Sequence, residues 1–363
     1  MTGILGRYFA ARFFKTILLI FFGVFALIVA IDYLEISRRV GDADNVSSFF
    51  IFQVSLFRAP NIAEQIFPFA VLFGSIVTLL QLSRKQELIV ARSAGISAWQ
   101  FLQPGIIVAF LFGLFSVSAF NPLSAYLKMK ATSMEAEISS TSGKAVSKDI
   151  IWLRQSVPEG GYAIIQADGI FHDLPDPVLA HVTLFVFEQN GIFKERIEAR
   201  TATLKEGFWV LDDVERISLS KEPVDQNELH LPTRLKPSQL LESFTSPDLV
   251  PFWQLRSAIR QARQAGLDPT RYHLQFASLI MQPFLFIAMV LVAASVSLRF
   301  FRFGGIARLV LGGIFAGFVL YVATQLVQEL GATGFLPPWI AAATPVFIGA
   351  LLGTLVLLHQ EDG

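Results

Sequence analysis

LSRKQELIVARSAGIS, residues Leu82–Ser97, lies between two long apolar stretches. Ser83 suits a helix N-cap, Gln86 three residues later completes a capping box, and Gly95 is a natural stop. The helix predicted over 83–95 is about 12 residues and about 18 Å long. It is too short and too charged to cross a bilayer, which needs about 20 apolar residues. The flanking runs are therefore separate spans, and this segment is a capped polar connector between them. A helix of this length is marginal in water, so something must hold it. Leu88, Ile89 and Val90 are contiguous, which turns apolar surface to more than one side. Glu87 and Ala91 share one face, Leu88 and Arg92 another. Spacing leaves two holders open: the chain's own membrane domain, or a cytoplasmic partner whose groove offers a base to Glu87. An ordinary amphipathic connector is the plainer alternative.

Working outward, six segments reach spanning length, near Phe13–Leu34, Ile62–Leu82, Phe101–Leu123, Leu274–Leu298, Leu309–Leu330 and Pro338–Leu358. Composition agrees: 53% of the 363 residues are hydrophobic and 16% charged, against roughly 25% charged in soluble domains. The 35 Phe suit interhelical and lipid-facing packing. Zero formal net charge speaks against a nucleic-acid partner. The lack of Cys excludes disulfides, thiolate metal sites and cysteine nucleophiles. Arg7, Arg12 and Lys15 precede an apolar run from Thr16 to Ile31 with no A-x-A-like site after it, so a retained span is expected rather than a signal peptide. Short cytoplasmic loops gather Lys and Arg. With the N-terminus inside, the inner set is Arg7, Arg12, Lys15, Arg84, Lys85, Arg92, Arg299, Arg302 and Arg308, and the short outer loops hold only Arg38, Arg39 and Arg58. Nine against three places both termini in the cytoplasm.

Between spans three and four the chain turns polar. The region 124–250 carries the strand-like runs IIWLR, YAIIQA, VTLFVFE, RTATLKE and FWVLDD, several of them alternating apolar and polar. Asn190-Gly191 separates VTLFVFE from IFKERIEA and predicts a hairpin. By orientation this domain is expected outside the cytoplasm; an antiparallel sandwich, barrel or jelly roll fits it. A second short helix follows at 251–268, begun by Pro251 and ended by Gly266 and Asp268-Pro269. Phe252, Leu255, Ile259 and Ala262 share one face and Arg256, Arg260 and Arg263 are offset from it, as in an interfacial helix. Packing under the β-domain is the alternative. Residues 269–363 carry the last three spans.

Several chemistries find no residues. No GxxxxGK[ST] is present, so ATP hydrolysis needs another chain. The five His, at 172, 181, 230, 273 and 359, lack metal-ligand spacing, and no cofactor is implied. His172 and His181 are expected on loops of the β-domain. Asp32, Glu64, Arg308 and Glu329 fall at predicted span ends, unlike the buried ionisable groups of ion-coupled carriers.

The stretches QLSRKQELIVARSAGIS after span two, RYHLQFASLIMQPF opening span four, GGIFAGFVLYVATQLVQELG in span five and LPPWIAAATP opening span six resemble the lipopolysaccharide export permeases, the LptF/LptG family. The last three look closer to the LptG type. The layout of three spans, periplasmic domain and three spans matches as well, so the resemblance covers essentially the whole chain. It implies a non-catalytic six-helix inner-membrane subunit with a periplasmic β-jellyroll domain. It also implies partners: an LptF-type sibling permease, an LptB-type ATPase dimer, and LptC with the periplasmic bridge. The substrate would be lipopolysaccharide, extracted from the inner membrane. Segment 83–95 would be the coupling helix, with Glu87 matching the family's acidic docking residue and Arg84, Leu88, Ala91, Arg92 and Gly95 around it.

Lipid phosphates need cations at the outer rim. Arg38 and Arg39 follow span one and Lys128 and Lys130 follow span three, near basic positions that the LptG type uses. A family lysine expected in span one is replaced by an apolar residue near Val29. Acyl chains would lie against Phe25, Ile28 and Ile31 of span one and Phe315, Phe318 and Val322 of span five, the spans that form lateral gates in the family. Gly312, Gly313 and Gly317 permit close packing of span five, against its own bundle or a partner. An open edge strand would allow strand addition between neighbouring β-domains. Two other functions fit parts of the pattern. A non-transporting scaffold explains the spans and β-domain but not the capped helix; an ATP-coupled extractor of another lipid or lipoprotein shares all the mechanics.

Overall fold

The computed structural model describes residues 3–40, 47–141, 151–156, 161–171, 178–188, 191–205, 207–218, 221–233, 247–264, 268–303 and 306–361. The chain divides into two compact units, Met1–Ala131 with Ser246–Gly363, and Thr132–Thr245.

The helical unit contains α1 (Ile4–Val40), α2 (Ser48–Arg84), α3 (Glu87–Ser93) and α4 (Ala98–Phe115), followed by a π-helical turn (Ser116–Phe120) that leads into α5 (Asn121–Thr141), of which residues up to Ala131 belong to this unit. A 3-10 turn at Pro247–Leu249, α6 (Phe252–Gln264), α7 (Thr270–Phe303), α8 (Ile306–Ala332) and α9 (Pro338–Glu361) complete it. Among the described residues, six stretches are long and apolar enough to cross a membrane: Ile4–Arg38, Ser48–Arg84, Ala98–Glu135, Thr270–Ser297, Leu311–Ala332 and Pro338–His359. The chain is a membrane protein with a separate β unit.

The helices outrun the apolar runs that announce them. α1 and α2 have 37 residues each, about 55 Å against a hydrocarbon core of about 30 Å. α5 continues the third span to Thr141, past the boundary expected at Leu123. Its sequence has no Gly, and its only Pro, Pro122, directly follows the π turn; the Ser118 carbonyl four residues earlier accepts from Trp253 Nε1 at 3.2 Å instead. Arg58, expected in a loop, lies within α2, its Nε 3.7 Å from Asp32 Oδ1 of α1. Asp32 is buried, so it is not at a water-reachable span end.

α2 and α7 form the centre: 61% and 67% of their apolar windows are buried, against 28% for α1 and 17% for α8. The Phe excess works at this centre. The ring of Phe67 stacks on Phe21 at 4.3 Å and meets Phe120 edge-on at 5.1 Å and Phe286 at 5.8 Å. Packing is tightest where glycine removes a side chain. A Cβ on Gly113 of α4 would stand 2.3 Å from the Cα of Pro283 in α7.

α6 turns Leu255, Ile259 and Ala262 inward, with Leu255 and Ile259 in one apolar cluster with Phe276 and Leu279 of α7 and Val117 of the π turn. Its first N–H is satisfied from a distance: Phe252 N donates to Asn121 Oδ1 at 2.9 Å. Asp268 Oδ1 caps the start of α7, accepting from Thr270 N at 3.0 Å and Thr270 Oγ1 at 2.6 Å. These bonds favour the charged form and hold the Asp268 carboxyl below the usual aspartate range. A depressed folded-state pKa contributes stability above the unfolded pKa that is lost as pH falls through the folded one. Asp268 is solvated, so the contribution is at the low end of capping energies, about 0.5 kcal/mol. Thermal melts from pH 7 down to pH 3 should show Asp268→Asn less stable at neutral pH, with the two curves converging in acid. A constant gap would remove the charged cap as its cause.

The β unit holds one antiparallel sheet in the order β1-β2-β3-β4-β5-β6. The strands are β1 (Ile151–Ser156), β2 (Gly161–Phe171), β3 (Val178–Glu188), β4 (Phe193–Lys205), β5 (Phe208–Ser218) and β6 (Lys221–Pro232). Each described strand pairs with the next in sequence; the crossover of a jelly roll is not among the described pairings. β3 turns into β4 at Gly191, φ +79, with Glu188 N donating to Ile192 O at 2.9 Å; Asn190 lies outside the described residues. Inward positions alternate as Val182, Leu184, Val186 in β3 and Ile197, Ala199 in β4. The phase then slips, so that Ala202 and Leu204 point inward. The slip runs along His181, Arg200 and Asp213, and His181 and Asp213 have positive φ. His181 is thus inside a strand rather than on a loop, and His172 lies outside the described residues. The sheet rolls around its apolar face. Gln155 Oε1 in β1 accepts from Trp209 Nε1 in β5 at 3.0 Å and from Thr233 Oγ1 beyond β6 at 2.8 Å, so the two ends of the strand order approach.

Candidate functional site

The connector after α2 is built differently from its sequence. α2 runs through Ser83 to Arg84, and Gln86 then takes a left-handed backbone, φ +58, which starts α3 at Glu87. The capping box expected at Ser83 and Gln86 does not form; Ser83 Oγ is buried with no hydrogen-bond partner among the described residues. The capping box stands one element later. Gln100 N donates to Ser97 Oγ and Ser97 N to Gln100 Oε1, both at 3.3 Å, starting α4. At the other end of α3, Gly95 has φ +80 and Ile96 N donates to Ala91 O at 3.1 Å, a Schellman end.

α3 has an inner and an outer side. Leu88 and Ala91 are buried, and Leu88 joins the core that contains Phe9 and Phe13 of α1. These two residues hold the helix to its own bundle and cannot meet a partner. Val90 is 65% exposed and Arg84 is exposed. The side chains of Ile89 and Arg92 lie outside the described ones. Glu87 is half-buried and accepts from Tyr8 Oη at 3.1 Å. Tyr8 Oη in turn accepts from Arg12 Nε at 3.1 Å and Nη2 at 2.8 Å, with the guanidinium 5.2 Å from the Tyr8 ring centroid. Arg12, Tyr8 and Glu87 thus form a polar link from α1 to α3. Tyr8 and Arg12 are a helical i, i+4 pair in the sequence, but nothing there points to a partner 79 residues away.

The cationic candidates do not gather into one described cluster. Arg38 is exposed near the end of α1, and the side chain of Arg39 lies outside the described ones. Lys128 is ion-paired with Asp248 of the 3-10 turn. Lys130 is exposed, its Nζ 5.2 Å from the Phe57 ring centroid. The apolar candidates divide by face. Ile31, Phe315 (69%) and Phe318 (60%) are exposed, Phe25 and Val322 are half-buried, and Ile28 is buried in the bundle core. Ile28 therefore stabilises α1 against its neighbours and offers no surface to a lipid. Gly313 and Gly317 face α2 of the same chain, where an added Cβ would lie 2.5 Å from Ile76 Cδ1 and 2.6 Å from Leu72 Cδ2.

α1 and α8, the two least buried spans, therefore present apolar faces to whatever surrounds the bundle, and α3 presents Val90 and Glu87 at one end. The family described as "Lipopolysaccharide export system permease LptF/LptG" matches residues 7–359. The chain belongs to the LptF/LptG permease family. It is 23% identical over 370 residues to the lipopolysaccharide export system permease protein LptG of Escherichia coli (strain K12), covering 99% of each chain. It is 24% identical over 379 residues to the LptG of Haemophilus influenzae (strain ATCC 51907 / DSM 11121 / KW20 / Rd), covering 99% of this chain and 97% of that one. The match begins one residue before Tyr8 and ends within α9, so the Tyr8–Glu87 link, both exposed spans and the β unit all lie inside the LptF/LptG region.

Proposed function

We propose that this chain is the LptG-type transmembrane subunit of an ATP-binding-cassette exporter that extracts lipopolysaccharide from the inner membrane. The observation that carries this reading is the family match over residues 7–359, which includes both membrane halves and the β unit between them. In this reading α3 is the coupling helix: a separate LptB-type ATPase dimer docks on Glu87, Val90 and Arg84. Leu88 and Ala91 transmit the movement into the bundle because they are buried in it. The nine-to-three charge bias supports cytoplasmic termini and a periplasmic β unit, and the family likeness suggests a jellyroll type for that unit. The exposed faces of α1 and α8, with Ile31, Phe315 and Phe318, would meet acyl chains or an LptF-type sibling. Arg38, Arg39 and Lys130 would meet lipid phosphates, and Lys128 would do so on leaving Asp248. The rolled sheet would pass lipid to LptC and a periplasmic bridge. Its free edges are β1 and β6. β6 carries Pro223 and several charges, which guard it, so β1 is the edge suited to strand addition.

Purifying the tagged chain in mild detergent, with mass spectrometry of what accompanies it, tests the assembly. A P-loop ATPase and a six-span sibling are expected. Recovery with neither would overturn the exporter reading.

A further inference from the structure

A cleft of about 290 Å³ with a mixed lining, polar groups beside Phe69, Leu285 and Met289, lies among α2, α7 and α8, near the lower end of small-ligand sites, about 300–1,000 Å³. It is lined by Gln275, Ser278 and Gln282 of α7, Gln325 and Gln328 of α8, and Glu64 of α2. Glu64 stands twenty residues before Arg84, about 30 Å along α2, which is about one hydrocarbon thickness from the α3 end. The cleft is therefore at headgroup depth on the side away from α3.

One side-chain acceptor in the lining lacks a donor among the described residues. Gln282 is 8% exposed, and its Oε1 is buried with no hydrogen-bond partner among the described residues. Pro68 has no N–H for the carbonyl of Glu64 four residues earlier, and Pro283 has none for that of Leu279. Glu64 and Leu279 both line the cleft, so two prolines on two helices each release a carbonyl of a lining residue. The carboxylates are already engaged: Glu64 accepts from Asn121 Nδ2 at 2.9 Å, and Asp248 pairs with Lys128. The described lining includes no Lys or Arg, which disfavours a phosphate. A neutral group bearing several hydroxyls suits it, because each O–H can donate to a free acceptor while its oxygen accepts from an amide.

We propose that this cleft is a subsite for the saccharide hydroxyls of a glycolipid headgroup, distinct from the cations offered to phosphates. The identity of that glycolipid as lipopolysaccharide rests on the exporter reading. The chain has no Cys, so Ser278→Cys gives a unique reporter in it. The variant is purified with its co-purifying subunits, placed in phosphatidylethanolamine nanodiscs and labelled with a hydrophilic maleimide. Lipopolysaccharide, dodecyl maltoside or phosphatidic acid is then added. The first two should slow labelling about tenfold at about ten times their Kd, and phosphatidic acid should not. Adding Gln282→Leu should remove the protection without shifting the thermal midpoint. Protection by maltoside with no binding of lipopolysaccharide would keep the subsite and sink the exporter reading. No protection by maltoside, or equal protection by phosphatidic acid, would overturn the subsite.

Discussion

Gly113→Val should prevent the helical unit from assembling, and Gly113→Ala should already lower its thermal midpoint. A Cβ at this position would lie 2.3 Å from Pro283 Cα, 2.8 Å from its Cβ and 3.1 Å from its N. These atoms belong to a backbone locked by a proline ring, so no side chain can swing aside. Replacing a helical Gly by Ala gains about 1 kcal/mol of helix propensity. Overpacking costs about 1–3 kcal/mol, more when backbone must move. The clash wins for Ala, and for Val the two extra methyls have nowhere to go. Gly23 in α1 is the control, because an added Cβ there meets nothing within 4 Å. Gly23→Ala should melt at or above the parent temperature. Melting of the purified variants, followed by size exclusion, separates these outcomes. If Gly113→Ala melts like Gly23→Ala, α4 and α7 are not as close as described.

The same residues show what a sequence can and cannot announce. The spans were legible because about 20 apolar residues in a row is a blunt criterion. Their ends were not, because hydropathy stops before helix propensity does: the polar half of α5 is rich in Lys, Glu, Met and Ala, and stays helical. In the β unit the runs IFKERIEA and RTATLKE looked like two strands, yet they form the single strand β4. The phase slip at Arg200 puts the two halves of their alternation on opposite parities, while the pairing register stays continuous across it, Ala199 with Val214 and Thr201 with Asp212. β6 went unread since KEPVDQNELHLP is a polar edge strand containing a proline. At α3, Glu87 stood out as a lone carboxylate in a capped segment. The false capping box arose because S-x-x-Q occurs twice, at Ser83–Gln86 and Ser97–Gln100, and only packing decides which one forms. The cleft had a signal: Gln275, Ser278 and Gln282 are spaced three and four apart, a polar face on an apolar span.

Glu87→Ala should uncouple ATP hydrolysis from lipid release while leaving the membrane fold intact. Glu87 has two possible employers, the ATPase and the Tyr8–Arg12 pair, and the size of the loss tells them apart. Its internal bond is one exposed contact from Tyr8 Oη, 3.1 Å long. A hydrogen bond to a charged group contributes about 1.5–3 kcal/mol, and less here, since solvent competes for both partners. Removing one member of a desolvated charge pair at an interface costs about 2–5 kcal/mol, about 30-fold or more in docking affinity. Tyr8→Phe removes the internal bond to Glu87, together with the two that Arg12 donates to the hydroxyl, and leaves the carboxylate free to dock. The expected result in proteoliposomes is therefore a large loss of lipid release in Glu87→Ala and a small one in Tyr8→Phe, with both thermal midpoints near the parent's. Equal losses would assign Glu87 to the α1–α3 link, so that the carboxylate holds α3 against span one and the ATPase reads the helix through Val90 and its neighbours. Normal release in both would remove Glu87 from the coupling path altogether.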